Sequence, residues 1–292
     1  MLLSIFTPTF NRSKLLIRLY DSLLKQTNKN FEWIVVDDGS TDNTRQVIES
    51  LNNENLINIK YFYKPNGGKH TAYNLAVENC KGDLCFCVDS DDFLSEFAVE
   101  NILTCWMNFK HSDNCAGIIA KKRDLHNKVF MSDLPSNKEI TLFELDNVYK
   151  CVGDKCFVFN TSIAINYLFP EFANEKFFPE SYIYDSIGSK YKFISLNNEI
   201  CICEYQLDGY SNNFINVMIN NPIGFKLFYR QRISMSKTFV ELFKYSIRFN
   251  AFRILSMDNK VGFKGFKFLV IVFTIPLGWL LTKYYKLKKR LK

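Results

Sequence analysis

Apolar and polar blocks alternate along the first 120 positions, and their period switches in a regular order. Leu2–Thr7 is a short apolar run broken by Pro8-Thr9-Phe10-Asn11-Arg12. Leu15, Leu16, Leu19, Leu23 and Leu24 then recur at helical spacing. Phe31–Val36 reads as a second strand, closed by Asp37-Asp38-Gly39-Ser40-Thr41-Asp42. Asn43–Leu51 is a helix with Val47, Ile48 and Leu51 on its apolar side, and Ile57–Tyr63 is a third strand. A turn at Pro65–Lys69 leads into a helix over Thr71–Asn79. Leu84–Val88 is a fourth strand, ended by Asp89-Ser90-Asp91-Asp92; a helix over Ser95–Asn108 and a strand at Gly117–Ala120 follow.

Strand–helix alternation at this period predicts a mostly parallel sheet flanked by helices. If the strands are parallel, the loops Thr7–Arg12, Asp37–Asp42, Pro65–Lys69 and Asp89–Asp92 share one rim. Open α/β sheets place their ligands at such strand ends.

Beyond residue 120 the pattern weakens. Residues 121–160 are rich in Lys, Asp, Asn, Ser and Pro and read as a loop-bearing insertion. Strands are expected at Lys155–Phe159, Phe193–Leu196 and Ile200–Tyr205, with a helix over about 180–191. Ile223–Ser256 reads as helical and rich in Phe, Tyr, Lys and Arg. There is no internal repeat.

Composition narrows the classes. The 292 residues are 47% hydrophobic and 23% charged, which supports a buried core and argues against global disorder. Aromatics reach 16%, high enough that some must serve a surface other than an ordinary core. The net charge of +7 is uneven: residues 259–292 carry nine Lys/Arg and no acid, while residues 1–258 hold 28 basic against 30 acidic side chains. Such a tail suits an anionic membrane surface or nucleic acid, and no nucleic-acid-binding motif accompanies it. Phe268–Thr282 is uncharged but interrupted by Pro276 and Gly278, and is short for a bilayer span. Trp279, Tyr284 and Tyr285 stand where interfacial aromatics would, so a helix lying in the membrane plane is expected. A true span and a core helix are the alternatives.

Nine cysteines without a C-x-x-C pair read as free thiols of a reducing compartment. The first residues lack the basic and long apolar regions of a signal peptide, and the expected location is the cytoplasm, peripheral on the inner face of the cell membrane. Only three histidines occur (His70, His111 and His126), which disfavours histidine-based catalysis and zinc chemistry.

The chemistry concentrates at Asp89-Ser90-Asp91-Asp92. Three carboxylates in four positions repel one another unless a cation or a set of donors neutralises them. Hard divalent cations are commonly shared between carboxylates and substrate phosphates, so a metal–diphosphate site is one reading. An acidic turn capping the next helix is the other.

Thr7-Pro-Thr-Phe-Asn-Arg12, Val35-Val-Asp-Asp-Gly-Ser-Thr-Asp42, Asn66-Gly-Gly-Lys69 with Tyr73-Asn74, and Asp89-Ser-Asp-Asp92 together resemble family 2 glycosyltransferases with the GT-A fold. The resemblance covers roughly residues 1–120. Phe177-Phe-Pro-Glu-Ser181, Ile187 and Lys190-Tyr-Lys-Phe193 resemble the acceptor-side segment of members of the bacterial polysaccharide-biosynthesis type. The resemblance implies a Rossmann-like GT-A catalytic domain over 1–220, with a nucleotide-sugar half at 1–120 and an acceptor half at 121–220. A helical, membrane-associating region would follow over 221–292. It implies inverting transfer of a hexosyl or N-acetylhexosaminyl group from a nucleotide-diphosphosugar, expected to be a UDP-sugar, to a glycan or lipid-linked acceptor. Mn²⁺ or Mg²⁺ would assist. Thr7, Asn11, Asp38, Lys69, Asn74 and Asp89 would bind the nucleotide sugar, with Asp38 on the base. Asp89 and Asp91 would hold the metal, and Asp92 would support the site. Many relatives carry Glu-Asp where this chain has Pro179-Glu180, so Glu180 is the implied base, with Asp185 and Glu175 as alternatives. An anionic membrane surface would meet residues 262–292. A nucleotidyltransferase would show glycines in the first loop, which Thr7–Arg12 lacks. A membrane-attached nucleotide-sugar binder without transferase activity is the non-enzyme alternative.

Overall fold

The computed structural model describes residues 1–109, 114–126, 128–129, 131–151, 153–204, 213–258 and 260–290. His111, Tyr205 and Lys292, which the readings above include, lie outside these residues. The chain divides into two compact units, one of Met1–Phe169 and Ile183–Gln206, the other of Pro170–Tyr182 and Leu207–Lys292.

In the first unit, β1 (Leu3–Thr9), β2 (Phe31–Asp37), β3 (Ile59–Tyr63) and β4 (Leu84–Cys87) lie in the order β3-β2-β1-β4 and run parallel. Helices α1 (Ser13–Leu24), α2 (Thr44–Asn53) and α3 (Lys69–Asn79) connect them. Every residue of β1 and β2 is buried. Both faces of such a sheet are covered, which is why these strands read as unbroken apolar runs.

The remaining strands correct the expectation of a mostly parallel sheet. β8 (Lys155–Asn160) runs antiparallel to β4, and β6 (Cys115–Asp124) antiparallel to β8. β9 (Lys192–Cys203) runs parallel to β6, with β5 (Phe93–Leu94) and β7 (Glu139–Ile140) antiparallel to it. The sheet is mixed, and its parallel character belongs to the first four strands. β9 unites the two strands expected near 193 and 200. Its partners jump from Leu196↔Ala120 to Glu199↔Lys121, leaving Asn197 and Asn198 in a bulge. α4 (Ala98–Asn108) packs on β6 and β9.

Within the stretch read as a loop-bearing insertion, α5 (Leu142–Asn147) starts with a capping box between Thr141 and Glu144. α6 (Thr161–Ala164) is one turn long, and α7 (Ser181–Gly188) begins in the second unit and ends in the first.

The second unit holds α8 (Phe214–Asn220), α9 (Pro222–Met235), α10 (Phe239–Leu255), α11 (Gly265–Phe273) and α12 (Ile275–Arg290). Ser236–Thr238 divides the long helix expected over 223–256, and Thr238 caps α10 through a capping box with Glu241. Part of the aromatic excess is found here: Phe225 stacks between Phe177 and Phe252, with ring centroids 5.7 and 5.1 Å away.

Candidate active site

Hydrogen bonds join the four strand-end loops in one chain. The Asp38 N–H donates to the Thr9 carbonyl at 2.8 Å. Asn11, in the left-handed region at φ +53°, accepts through Oδ1 from the Thr41 N–H at 2.8 Å, and its own N–H donates to Ser40 Oγ. Asn tolerates this conformation better than most residues. Asp38 then reaches the third loop. Its Oδ1 accepts from Lys64 Nζ at 2.8 Å and Gly67 N at 2.9 Å; its Oδ2 accepts from Asn66 Nδ2 at 3.1 Å and Gly68 N at 2.7 Å. Gly39 permits this approach: at φ +83°, any Cβ would stand 2.7 Å from the Asn66 nitrogen. Lys69, at the start of α3, pairs with Asp89 Oδ1 at 2.5 Å and so ties in the fourth loop.

Three carboxylates of the fourth loop have three environments. Burial opposes ionisation of Asp89, but Lys69 and Lys122 outweigh it and hold its carboxyl below the usual range. Burial raises Asp91, and the charge of Asp89 adds to the effect. Asp92 is pushed up to about 6, chiefly by burial, with Lys122 opposing. Asp92 is turned toward other partners: the Cys203 and Cys201 thiols donate to it at 3.3 and 3.6 Å, and Lys122 Nζ lies 3.6 Å away. Although these thiols and Asp92 cluster tightly enough for a metal, the Lys122 ammonium already supplies positive charge there. Asp89 and Asp91 offer hard oxygens at a strand end, with Asp91 reluctant to ionise beside Asp89. This donor set fits Mg²⁺ or Mn²⁺.

The loop also has a brace that sequence reasoning missed. Arg18 of α1 donates to the Asp91 carbonyl, pairs with Glu204 and lies over the Phe93 ring, 4.8 Å from its centroid. A lone arginine on an amphipathic helix carries no signal of this. Lys64 was also missed, although the adjoining Pro65-Asn66-Gly67-Gly68 turn marked the place.

Of the expected nucleotide-sugar residues, Asn11, Asp38, Lys69 and Asp89 meet at this rim, joined as described. Thr7 does not line it. Thr7 is fully buried, and its Oγ1 accepts from the Trp33 indole N–H at 3.0 Å, which makes it a core residue. Asn74 is buried as well: its amide donates to the Phe169 carbonyl at 2.9 Å and accepts from the Phe169 N–H at 2.8 Å. Both functions of that buried side chain brace the chain at 169.

Glu180 is half-buried just before α7, in the second unit; Asp185 is half-buried on α7, in the first. Glu175, the other alternative, is engaged at a helix start. Its two oxygens accept from the Ile223 N–H at 2.6 Å and the Gly224 N–H at 2.7 Å, capping the first turn of α9. Burial nevertheless raises its carboxyl above the usual range.

The family model described as "Glycosyl transferase family 2" matches residues 4–168. The chain is 37% identical over 125 residues to a chondroitin synthase of Pasteurella multocida, covering 43% of this chain and 12% of that one. It is 32% identical over 115 residues to the poly(ribitol-phosphate) beta-N-acetylglucosaminyltransferase TarS of Staphylococcus aureus, covering 39% and 20%. The matched stretch is thus a small part of these relatives' length. Among solved structures, residues 1–349 of S. aureus TarS in complex with UDP-GlcNAc align with a TM-score of 0.64 at 18% identity, covering 99% of this chain and 92% of that one. A mannosyltransferase from Pyrobaculum calidifontis, in complex with GDP-Man and Mn²⁺, aligns at 0.55 with 13% identity, over 97% and 84%. At these identities the likeness is one of fold.

Proposed function

The chain belongs to glycosyl transferase family 2, and from that premise we propose that it is an inverting glycosyltransferase using a UDP-sugar, of hexosyl or N-acetylhexosaminyl type, as donor. The observation that carries this reading is the linkage of four strand-end loops into one rim that ends in Asp89 and Asp91. The TarS neighbour with UDP-GlcNAc supports the donor class.

Asp89 and Asp91 would hold a divalent cation, which when bound neutralises charge on the departing diphosphate. Lys69, beside Asp89, adds a fixed positive charge at the same end. Asn11 holds the first two loops in register. Asp38 orders the 64–68 turn, and in this reading its carboxylate also meets the base N–H, as uracil offers. On the acceptor side, Glu180 takes the proton of the attacking hydroxyl. The acceptor oxygen bonds to the anomeric carbon as its bond to the diphosphate oxygen breaks. Attack opposite the leaving nucleotide inverts that carbon. The acceptor class is a glycan or lipid-linked hydroxyl.

Release of nucleotide from a panel of UDP- and GDP-sugars, with water as surrogate acceptor, tests this. Glu180→Gln should lower release by about 10²–10⁴-fold while UDP affinity stays unchanged. If Asp185→Asn has that effect instead, the base is Asp185. Nucleotide binding without release from any donor would identify a binding protein and overturn the transferase reading.

A further inference from the structure

Helices α11 and α12 are apolar on more than the face they bury. Their inner side packs on α10 through Val270, Ile271 and Tyr285, all buried, and through small and polar groups. Asn250 donates to the Ile271 carbonyl at 2.7 Å and to Thr274 Oγ1 at 3.1 Å, and Thr282 Oγ1 donates to the Ala251 carbonyl at 3.2 Å. Gly278 lies so close to α10 that a Cβ there would meet Asn250 Cβ at 2.5 Å. A second set of large apolar side chains is exposed. On α11, Phe266, Leu269 and Phe273 are exposed at helical spacing, Phe273 by 74%. On α12, Leu277, Leu280, Tyr284 and Leu287 repeat at the same period and are exposed too. Phe239 of α10 continues the patch, its ring 6.2 Å from that of Phe266.

Lysines border this surface. Lys283, Lys286 and Lys288 are exposed on α12, and Lys283 Nζ sits 3.7 Å over the Trp279 ring. No acid occurs anywhere in 259–292. A contiguous exposed apolar patch marks a contact surface, and its basic border selects an anionic partner. An apolar stripe with lysines and an interfacial Trp is the pattern of a helix seated in a lipid headgroup layer.

We infer that the outer face of α11 and α12, extended by Phe239, docks in the plane of an anionic lipid bilayer without crossing it. The helices have 9 and 16 residues, about 14 and 24 Å at 1.5 Å per residue, against a hydrocarbon core of about 30 Å. They bend by 50° at their junction; among the described residues no single helix is long and apolar enough to cross, and the pair has the length and composition of a span only when its two bent helices are taken together. Crossing would also break the hydrogen bonds to Asn250 and Ala251. This inference stands apart from the transferase chemistry.

Flotation of the full chain with vesicles of phosphatidylcholine and phosphatidylglycerol, three to one, against phosphatidylcholine alone tests it. The chain should float with the anionic vesicles. Leu269→Ser/Phe273→Ser/Leu280→Ser should lower partitioning more than tenfold; because these positions are already exposed, the variant should keep its helix content and its UDP affinity. Lys283→Gln/Lys286→Gln/Lys288→Gln should lower partitioning by about fivefold per lysine at low salt and flatten its salt dependence. Trp33 and Trp106 are buried, so lipid quenching reports on Trp279. Lipids brominated near the headgroup should quench it, and those brominated at the acyl terminus should not. Deep quenching would overturn the in-plane placement. A full chain that stays unbound beside anionic vesicles would overturn the inference, whether it is monomeric or a dimer that the same serine substitutions dissociate.

Discussion

Arg18 belongs to no motif, yet it grips the loop on which the account depends. It holds the Asp91 carbonyl while pairing with Glu204 and covering Phe93. Hydrogen bonds to charged groups contribute about 1.5–3 kcal/mol, so Arg18→Ala should weaken Mn²⁺-dependent UDP binding at least tenfold. Arg18→Lys should recover little, because one ammonium cannot reproduce a planar fork that also stacks. Unchanged affinity in both variants would leave Arg18 as packing. Asn74 predicts the opposite pattern. Asn74→Ala strands a buried N–H and carbonyl at Phe169, costing about 1–3 kcal/mol of stability, and should leave UDP affinity intact. A tenfold affinity loss with normal thermal stability would return Asn74 to the binding site. That Asp38, Asn11, Lys69 and Asp89 share one rim was legible at this scale because their loops interrupt apolar runs. The burial of Thr7 and Asn74 was not. Thr7 lies on a strand buried on both faces, where alternation says nothing about direction. Asn74 lies on a helix buried on most sides, with no polar face to betray its orientation.

Among the elements, β1 to β4 were legible because covered parallel strands are apolar throughout. The antiparallel half was harder. β9 carries Asn197 and Asn198 in a bulge, and that polar pair broke its run in two. The Thr141–Glu144 capping box was present in the sequence, but its helix is only six residues long and shows no period. The edge of the parallel half contains its own pH-sensitive tie. Glu32 on β2 accepts from Ser4 Oγ at 2.6 Å and the Lys81 N–H at 2.8 Å, and pairs with Lys60 of β3. Burial would raise its carboxyl, but Lys60, Ser4 and Lys81 more than offset that and lower it. A depressed folded-state value makes the stabilisation complete above the unfolded value of about 4.3, with loss as pH falls through the folded value. Glu32→Gln should therefore lower Tm clearly at pH 7, and the gap to wild type should close as pH drops below about 4. A gap independent of pH would reject an ionised Glu32.

At the scale of the whole molecule, the two units divide the tasks proposed for the chain. The first carries the donor rim and Asp185. The second carries Glu180, the Glu175 cap on α9 and the apolar, lysine-bordered face of α11 and α12. The basic tail and its aromatics were legible from composition. Which side of each helix packs was not, because bulky apolar residues stand on both sides: Val270, Ile271 and Tyr285 are buried, while Phe273, Leu280 and Leu287 are exposed. The central claim is that the strand-end rim is a metal-dependent nucleotide-diphosphosugar site. Calorimetric titration of UDP into the full chain with Mn²⁺, and then with excess chelator, tests it most directly when run on wild type and Asp91→Asn. The account predicts at least a tenfold loss of affinity on chelation in wild type, and no response to Mn²⁺ in Asp91→Asn. Equal affinity with and without the metal in wild type, or full metal dependence in Asp91→Asn, would contradict it.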